Sequence, residues 1–323
     1  MRVLITGGAG FIGSNFARMA NTGFFPEITS FAIFDKLTYS GNLNNLPGIP
    51  LNRDNFIQGD ICDQVLVNQI VERFDAIINF AAESHVDRSI SDSTIFTQTN
   101  VLGVNTLLNA ILNIDKSIRF LQISTDEVYG SISEGSWTEE SPLLPNSPYA
   151  ASKTSGELLV RAFSKTYGID AVITRCSNNF GTHHFPEKLI PLFITNLLEG
   201  KKVPIYGSGN NVRDWLHVDD HCRGIYKALV GGRSGEIYNI GGGRELTNLE
   251  ITKLIINEMG FNEDSINYVE DRKGHDFRYS VDWSKINQEL DYFPQVDFEQ
   301  GLKETINWYR NNESWWKPLK IDP

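Results

Sequence analysis

Short apolar runs alternate with longer amphipathic stretches through the first 180 residues, and this rhythm constrains the fold more than any other feature of the sequence. The apolar runs cover 2–6, 31–34, 56–57, 76–80, 119–123 and 171–174. Helical patterns lie between them, at 63–73, 93–113 and 149–167. Continuous apolarity is typical of strands that are buried on both faces of a parallel sheet. The alternation therefore predicts an α/β protein with a doubly wound parallel sheet.

Three glycines come directly after the first strand, at the spacing Gly7-x-x-Gly10-x-x-Gly13, and a helical pattern follows them. Such a turn lets a pyrophosphate approach the helix N-terminus, so the sheet is predicted to be Rossmann-like. The second strand ends at Asp35, where a carboxylate accepts hydrogen bonds from ribose hydroxyls and repels a 2′-phosphate. We therefore expect NAD as cofactor. Asp60, after the third strand, is a candidate for the adenine edge.

The rhythm changes after about residue 180, where prolines and polar turns become frequent. A further strand at 236–240 ends in three consecutive glycines. We expect a cofactor-binding domain over 1–180 plus a returning segment at about 215–240. A second, smaller substrate-binding domain would be interleaved with it, at about 181–214 and 241–323.

Composition narrows the class of protein. The formal net charge of −11 argues against general nucleic-acid binding. Apolar runs fall short of the roughly 18 residues of a membrane span, and glycine arrives too early for a signal peptide. We therefore expect a soluble, cytoplasmic protein.

His217 and His221 are spaced i, i+4, as in some metal sites. We expect instead that a helix starts here with Asp219 or Asp220 as N-cap, and that no metal is bound.

Two groups of residues carry catalytic potential. Tyr149 precedes Lys153 by four positions, so a helix places both on one face, where the ammonium can lower the phenol pKa. Tyr149 would then act as a base toward a sugar hydroxyl. Thr125 is followed by two carboxylates, Asp126 and Glu127, at the end of a central strand. Simple oxidation and reduction has no use for this pair, whereas elimination of water needs both an acid and a base.

Several longer segments resemble the dTDP-glucose 4,6-dehydratases, a family of the extended short-chain dehydrogenase/reductase superfamily. They are Phe-Ala-Ala-Glu-Ser-His-Val-Asp-Arg-Ser at 80–89, Thr-Asp-Glu-Val-Tyr-Gly at 125–130, Arg-Cys-Ser-Asn-Asn at 175–179, Phe-Pro-Glu-Lys-Leu-Ile-Pro at 185–191, Val-Arg-Asp-Trp-Leu-His-Val at 212–218 and Asp-Arg-Lys-Gly-His-Asp at 271–276. The likeness runs from Met1 to Trp315-Trp316. It implies a cytoplasmic lyase of deoxysugar biosynthesis that converts dTDP-glucose to dTDP-4-keto-6-deoxyglucose.

The resemblance also implies a role for each catalytic residue. Tyr149 would deprotonate the C4 hydroxyl as hydride passes to NAD, with Thr125 binding the same oxygen. Glu127 would remove the C5 proton, Asp126 would protonate the leaving C6 hydroxyl, and hydride would return to C6. Lys153 would complete this catalytic set.

Binding residues are carried over from the same family. The implied cofactor contacts are Gly7, Gly10, Phe11, Ile12, Gly13, Asp35, Lys36, Thr38, Asp60, Ile61, Ala81, Ala82, Thr99, Tyr149, Lys153 and Asn179. The implied sugar-nucleotide contacts are Ser84, Thr125, Asn178, Glu187, Lys188, Leu189, Pro204, Ile205, Tyr206, Arg213, Asn248, Arg272, His275 and Tyr279.

Three alternatives stay open at this level. The sequence departs from the family at Phe277, where arginine is usual, and at Thr182-His183, where Pro-Tyr is usual, so a dehydratase of UDP-glucose is one alternative. A sugar-nucleotide 4-epimerase or decarboxylase would use Tyr149 and Lys153 without the carboxylate pair. A non-catalytic NAD-binding sensor is the third.

The helical stretches 93–113 and 149–167 are expected to form a homodimer interface.

Overall fold

Twelve strands are found in residues 1–320, the part of the chain that the computed structural model describes. They are β1 (Arg2–Thr6), β2 (Ser30–Asp35), β3 (Phe56–Gln58), β4 (Ala76–Asn79), β5 (Arg119–Thr125), β6 (Ala171–Cys176), β7 (Asn178–Phe180), β8 (Val203–Tyr206), β9 (Val212–His217), β10 (Ile237–Ile240), β11 (Glu245–Thr247) and β12 (Ile266–Val269). Seven of them form a parallel sheet in the order β10-β6-β5-β4-β1-β2-β3. The chain reverses its direction of winding between β1 and β4, so ligands are expected at the carboxyl ends of these strands. The predicted doubly wound, Rossmann-like sheet is confirmed.

Helices cover both faces of this sheet. They are α1 (Phe11–Asn21), α2 (Gln64–Val71), α3 (Val86–Ser91), α4 (Thr94–Thr97), α5 (Val104–Leu112), α6 (Pro148–Tyr167), α7 (Leu189–Leu198), α8 (Val218–Gly231), α9 (Asn248–Glu258), α10 (Ser284–Leu290), α11 (Phe298–Asn311) and α12 (Glu313–Trp316). In β1, Val3 and Ile5 belong to the core beneath α1 and α8, whereas Leu4 belongs to the core beneath α2, α5 and α6. Because both faces of the sheet are buried at β1, residues 3–6 of this strand are all buried, which explains the continuous apolar run. None of the helices described is long and apolar enough to cross a membrane.

The predicted helix at 93–113 is interrupted. A π-helical segment, Gln98–Gly103, separates α4 from α5. Asn100 lies in this segment and its side chain is fully engaged: its amide donates to the carbonyl of Glu83 at 3.0 Å and to the Ser152 hydroxyl at 2.8 Å, and its oxygen accepts from the Glu83 N–H. Wide turns of this kind occur often at functional sites. Here the wide turn ties the segment after β4 to helix α6.

The N-cap of helix α8 lies two or three residues earlier than the sequence predicted. His217 is the N-cap, since its Nδ1 accepts from the Asp219 N–H at 3.3 Å. The expected caps, Asp219 and Asp220, lie in the first turn of the helix. Their negative charges interact favourably with the positive N-terminal end of the helix dipole. The Asp220 carboxylate accepts from Arg223 and from the backbone of Val296. The predicted N-cap was therefore wrong.

The remaining elements form a separate apolar core beside the large sheet. Strands β11-β9-β7 make a three-stranded sheet, and β12 pairs with β8. Helices α7, α9, α11 and α12 pack in this core, with Trp316 fully buried. Strand β10 returns to the large sheet, and Ile286 of α10 packs in its core. The division into a cofactor domain and a substrate domain stays a prediction.

Candidate active site

A cavity of about 300 Å³ lies where the large sheet meets the second core. Most of the predicted site residues line it: Gly7, Gly10, Phe11, Ile12, Gly13, Asp35, Lys36, Thr38, Asp60, Ile61, Ala82, Ser84, Thr99, Thr125, Asp126, Glu127, Tyr149, Lys153, Asn178, Asn179, Glu187 and Lys188. The carboxyl ends of β1, β2, β4, β5 and β6 position these side chains. The cavity is therefore at the place where doubly wound sheets bind ligands.

The glycine turn forms a close-fitting cradle at one end of the cavity. Gly7 has a φ of +66°, a left-handed conformation that glycine adopts without strain. A Cβ added at Gly13 would lie 2.5 Å from the Gly7 carbonyl oxygen, so the turn tolerates no side chain there. Helix α1 starts at Phe11, so Gly13 lies in its first turn, and the N–H groups of a first turn have no intrahelical acceptor. The cradle fits a pyrophosphate.

Asp35 links this turn to the end of β2. Its carboxylate accepts from the Ala9 N–H at 2.8 Å and from the Leu37 N–H at 2.7 Å. Burial raises the pKa of Asp35, although the two backbone hydrogen bonds oppose the shift. Each oxygen retains a second lone pair for a ribose hydroxyl. Lys36 forms an ion pair with Asp60 at 2.7 Å, so its charge is already balanced and offers little to a 2′-phosphate.

Asp126 is the most deeply buried carboxyl group of the site, with 2% exposure. Its Oδ1 accepts from the Thr125 hydroxyl at 3.2 Å, while its Oδ2 has no hydrogen-bond partner among the described residues. Burial, and then the charges of Glu127 and Asp214, raise the pKa of Asp126 well above its usual value. The shift favours the protonated form, in which Asp126 can donate a proton.

The next residue, Glu127, has a different electrostatic environment. Burial raises its pKa, but Arg272, Arg213 and Lys188 oppose that shift. The three cations stabilise a carboxylate at Glu127. When two neighbouring carboxyl groups have environments that move their pKa values apart, the group with the higher pKa can act as the acid and the other as the base. The pair can therefore hold one proton on Asp126 and accept another on Glu127.

Tyr149 and Lys153 lie on helix α6 beside this pair. The Lys153 Nζ donates to the Ile123 carbonyl at 2.7 Å, and burial lowers the pKa of Lys153 to about 8. The Thr125 hydroxyl acts on the Tyr149 phenol in the direction that lowers its pKa, but weakly. Burial, followed by the charge of Glu127, raises the pKa of Tyr149. The sequence predicted the opposite shift; in this structure the Lys153 ammonium is held at a backbone carbonyl and burial dominates.

The remaining predicted substrate residues lie outside the lining of this cavity. Arg213 is buried, with its guanidinium 4.4 Å from the centre of the Tyr279 ring, and Arg272 lies 3.8 Å from Asp87. Both arginines are close enough to Glu127 to act on its pKa. They therefore belong to the same electrostatic site. The other predicted substrate residues outside the lining are Leu189, Pro204, Ile205, Tyr206, Asn248 and His275, and the predicted cofactor residue Ala81 also lies outside it.

Several cavity residues were missed by the sequence reasoning. Tyr39 donates to Glu187 at 3.0 Å, and His184 stacks on Phe11 with ring centres 4.0 Å apart. Trp315, which the sequence assigned to packing, also lines the cavity. The other missed lining residues are Phe34, Ser40, Gly41, Asn45, Gly59, Phe80, Glu83, Ile95, Ile123, Ser124, Cys176, Ser177, His183, Phe185 and Leu319. No spacing signal marks these positions, because distant segments bring them together.

The two departures from the family pattern have different surroundings. The Phe277 side chain is 55% exposed. His183 has a φ of +62° and its ring lies 4.3 Å from that of Trp308. His183 lines the cavity and Phe277 does not.

A buried ion pair fixes the catalytic helix to the sheet. Arg175 of β6 donates to Glu157 of α6 at 2.7 Å, and both side chains are at most 1% exposed. Arg175 also donates to the Tyr129 hydroxyl at 2.7 Å, and Tyr129 donates to Asn239 at 2.8 Å. Tyr129 closes the short 3₁₀ turn Asp126–Tyr129. The network thus joins the helix of Tyr149 to the turn that carries the two carboxylates.

Comparison with known proteins agrees with this geometry. A family model for GDP-mannose 4,6 dehydratase matches residues 4–305. The dTDP-glucose 4,6-dehydratase of Streptomyces niveus is 55% identical over 323 residues, which cover 99% of this chain and 96% of that protein. The chain therefore belongs to the GDP-mannose 4,6 dehydratase family and, within it, groups with the dTDP-glucose 4,6-dehydratases, which confirms the resemblance seen in the sequence.

Solved structures give the same result. The dTDP-glucose 4,6-dehydratase of Streptomyces venezuelae, with NAD bound, matches at a TM-score of 0.97 and 54% identity, covering 99% of this chain and 100% of that one. The UDP-glucose 4-epimerase of Thermotoga maritima, with UDP-glucose, matches at a TM-score of 0.87 and 30% identity, covering 97% of this chain and 100% of that one. The fold is thus shared with epimerases, whereas the higher sequence identity is with the dehydratase.

Proposed function

We propose that this protein is a lyase that dehydrates dTDP-glucose to dTDP-4-keto-6-deoxyglucose, with NAD as cofactor. The observation that carries the proposal is the contrast between Asp126 and Glu127 beside Tyr149. Elimination of water requires an acid and a base. Burial and neighbouring carboxylates favour the protonated form of Asp126, whereas three cations oppose the rise in the pKa of Glu127. The similarity to dehydratases over the whole chain supports the same activity.

The residues of the chain divide the reaction between them. The glycine cradle and Asp35 would hold the cofactor, which when bound supplies hydride acceptance at C4 and hydride donation at C6. Tyr149, when it is ionised, takes the proton of the C4 hydroxyl, and the resulting ketone makes the C5 proton acidic. Glu127 removes that proton, and Asp126 protonates the C6 hydroxyl as it leaves as water. Glu127 then returns its proton to C5.

Arg213, Arg272 and Lys188 have a second use in this scheme. Arginine suits bidentate phosphate contacts and lysine suits point-charge contacts. We propose that they bind the diphosphate of the sugar nucleotide. Since the same three cations stabilise the carboxylate of Glu127, substrate binding would weaken that stabilisation and make Glu127 a stronger base.

The experiment that tests the function is mass spectrometry of the purified protein after incubation with dTDP-glucose and, separately, UDP-glucose. We expect the dTDP sugar to lose one water and the UDP sugar to stay unchanged. Loss of water from UDP-glucose alone would move the proposal to the alternative nucleotide. Unchanged mass with both would contradict a dehydratase, and NMR of the recovered sugar would then detect an epimerase.

Asp35→Ala is expected to weaken NAD binding by roughly 10- to 100-fold. Its carboxylate would accept charge-assisted hydrogen bonds from the adenosine ribose, which contribute about 1.5–3 kcal/mol. Calorimetric titration of the NAD-free protein measures the change. Thermal unfolding of the same sample is the control, because Asp35 also accepts from the glycine turn. Unchanged affinity in a folded variant would contradict the ribose role.

The proposal extends to the assembly and location of the protein. We propose a homodimer formed through the exposed side of the π-helical segment, α5 and α6, where Leu102, Leu112 and Leu158 are exposed apolar residues. Burial of these leucines against a second copy would contribute favourable hydrophobic energy.

We also propose a cytoplasmic location, where sugar nucleotides are available. The cofactor domain would comprise the large parallel sheet, with α8, β10 and α10 added to residues 1–180.

A further inference from the structure

A chain of hydrogen bonds joins the C-terminal helix α12 to the glycine turn of the cofactor cradle. The Trp315 indole Nε1 donates to Asn45 Oδ1 at 2.9 Å, and the Asn45 side-chain amide donates to the Ala9 carbonyl at 2.8 Å. Asn45 is 2% exposed and Trp315 is 9% exposed, so both bonds are shielded from water. Trp315 thus reaches across 270 positions of the sequence to the turn between Gly7 and Gly13.

The Ala9 backbone is held from three directions. Its N–H donates to Asp35 at 2.8 Å, and its carbonyl accepts from the Asn42 N–H at 3.0 Å as well as from the Asn45 side chain. Arg18 of α1 donates to the Asn45 carbonyl, so Asn45 also contacts the helix that the turn opens. A site that is already rigid in its binding conformation loses less entropy when its ligand binds. Asn45 therefore braces the turn on which a pyrophosphate would lie.

The Trp315 indole fixes the direction in which the Asn45 amide faces. An indole nitrogen is a donor only, so it pairs with the amide oxygen and not with the amide nitrogen. The amide nitrogen of Asn45 is then directed to the Ala9 carbonyl. Without the indole donor the amide is free to turn over, which would place its oxygen against the Ala9 carbonyl and lose the bond.

A second contact joins the same C-terminal region to the cradle. Phe11, the first residue of α1, stacks on His184, and the His184 carbonyl accepts from the Tyr309 hydroxyl of α11. The rings of Tyr309 and Trp315 are 6.3 Å apart within the second core. Phe11, His184 and Trp315 all line the cavity. Helices α11 and α12 therefore support the wall of the cofactor site in addition to packing in the second core.

We propose that Trp315 is a positioning residue of the cofactor site. By donating to Asn45 it orients the amide that holds the Ala9 carbonyl, and it thereby keeps the glycine turn in the form that binds the diphosphate of NAD. In the proposed reaction NAD returns to its oxidised form in each turnover, so firm retention of the cofactor is compatible with catalysis. The inference goes beyond that reaction, because it holds whichever sugar nucleotide is the substrate.

The first test measures NAD dissociation from Trp315→Phe, which keeps an aromatic ring in the core and removes the indole N–H. The protein is saturated with radiolabelled NAD and diluted into excess unlabelled NAD, and the label retained on the protein is followed over time. We expect the dissociation rate to rise by about 3- to 10-fold, the range that corresponds to loss of one buried hydrogen bond.

Trp316→Phe is the matched control. Trp316 is fully buried one position further along, and its Nε1 donates to the Tyr309 carbonyl at 2.9 Å, but it does not line the cavity. The substitution removes the same N–H and the same ring volume from the second core while the bond to Asn45 stays in place. Urea denaturation compares the stability of the two variants. An unchanged dissociation rate in folded Trp315→Phe, or equal increases in both variants, would overturn the proposal.

The second test uses Asn45→Ala, which breaks the same chain of hydrogen bonds from the other side and leaves the aromatic core intact. This variant should also release NAD faster. If Trp315 acts through Asn45, Trp315→Phe should add little to the rate in the Asn45→Ala background, because residues that act as one unit are not additive. Increases that simply multiply would show that Trp315 supports the site by another route and would contradict the proposal.

The third test uses the protein without substitution. Because coupling between two sites is reciprocal, NAD binding should hold helix α12 more firmly. Saturating NAD should slow hydrogen–deuterium exchange in peptides that cover α12, measured by mass spectrometry, and no change there would contradict the proposal. None of the three tests needs turnover. If neither sugar nucleotide loses water, the proposed function fails while the result for Trp315 stands.

Discussion

Glu127→Gln should form product about 10²- to 10⁴-fold more slowly, while the bound cofactor is still reduced when substrate is added. The amide keeps the size of the side chain but cannot take the C5 proton. Oxidation at C4 depends on Tyr149 and should continue, so reduced cofactor should accumulate. Stopped-flow absorbance of the reduced cofactor and mass spectrometry of the sugar measure the two steps separately.

Asp126→Asn is the matched comparison, because it removes the acid and leaves the base. In deuterated water this variant should still exchange the C5 hydrogen of the substrate, since Glu127 is intact, but it should eliminate little water. Glu127→Gln should show neither exchange nor elimination. Full turnover of Glu127→Gln, or C5 exchange in that variant, would contradict the assignment of Glu127 as the base.

Arg175→Met should lower the free energy of unfolding by about 3–5 kcal/mol. Arg175 and Glu157 form an ion pair with no more than 1% exposure, so removal of the cation leaves a buried carboxylate without its counter-ion. The Tyr129 hydroxyl would also lose its donor. Urea denaturation at neutral pH, followed by circular dichroism, measures the loss.

Two controls separate loss of the ion pair from loss of side-chain volume. The double variant Arg175→Met with Glu157→Gln removes both charges and should recover much of the stability, because buried pairs contribute little beyond their mutual compensation. Lys317→Met breaks the exposed pair with Glu313 and should have only a small effect. Equal losses in the single and double variants would show that the charge of Glu157 is not the cause.

The sequence predicted the frame of the site because local patterns encode it. Continuous apolar runs identified the strands of the parallel sheet, and the glycine spacing marked the cradle at the end of β1. The i, i+4 spacing placed Tyr149 and Lys153 on one helix, and α6 carries both. Resemblance to the dTDP-glucose 4,6-dehydratases also implied a role for each catalytic residue. These features depend on hydrogen bonding and packing within a few residues, so they can be read along the chain.

Other features of the protein depend on which segments meet in space. The π-helical turn at Gln98–Gly103 arises where Asn100 bonds to Glu83 and Ser152, which are distant in sequence. The pKa of Asp126 is raised by its burial, then by Glu127, and then by Asp214, which comes from β9. The raised pKa of Tyr149 reverses the sequence prediction for the same reason, since removal from water outweighs a nearby ammonium.

The sequence by itself determined the fold class and the position of the glycine turn, because short-range geometry fixes them, and family resemblance implied the catalytic side chains. Only the tertiary structure decided how burial and neighbouring charges shift the pKa values of these groups, and that the Thr125 hydroxyl donates to Asp126. The physical reason is that pKa values depend on burial and on charges within a few ångströms, and these neighbours come from strands and helices far apart in the chain.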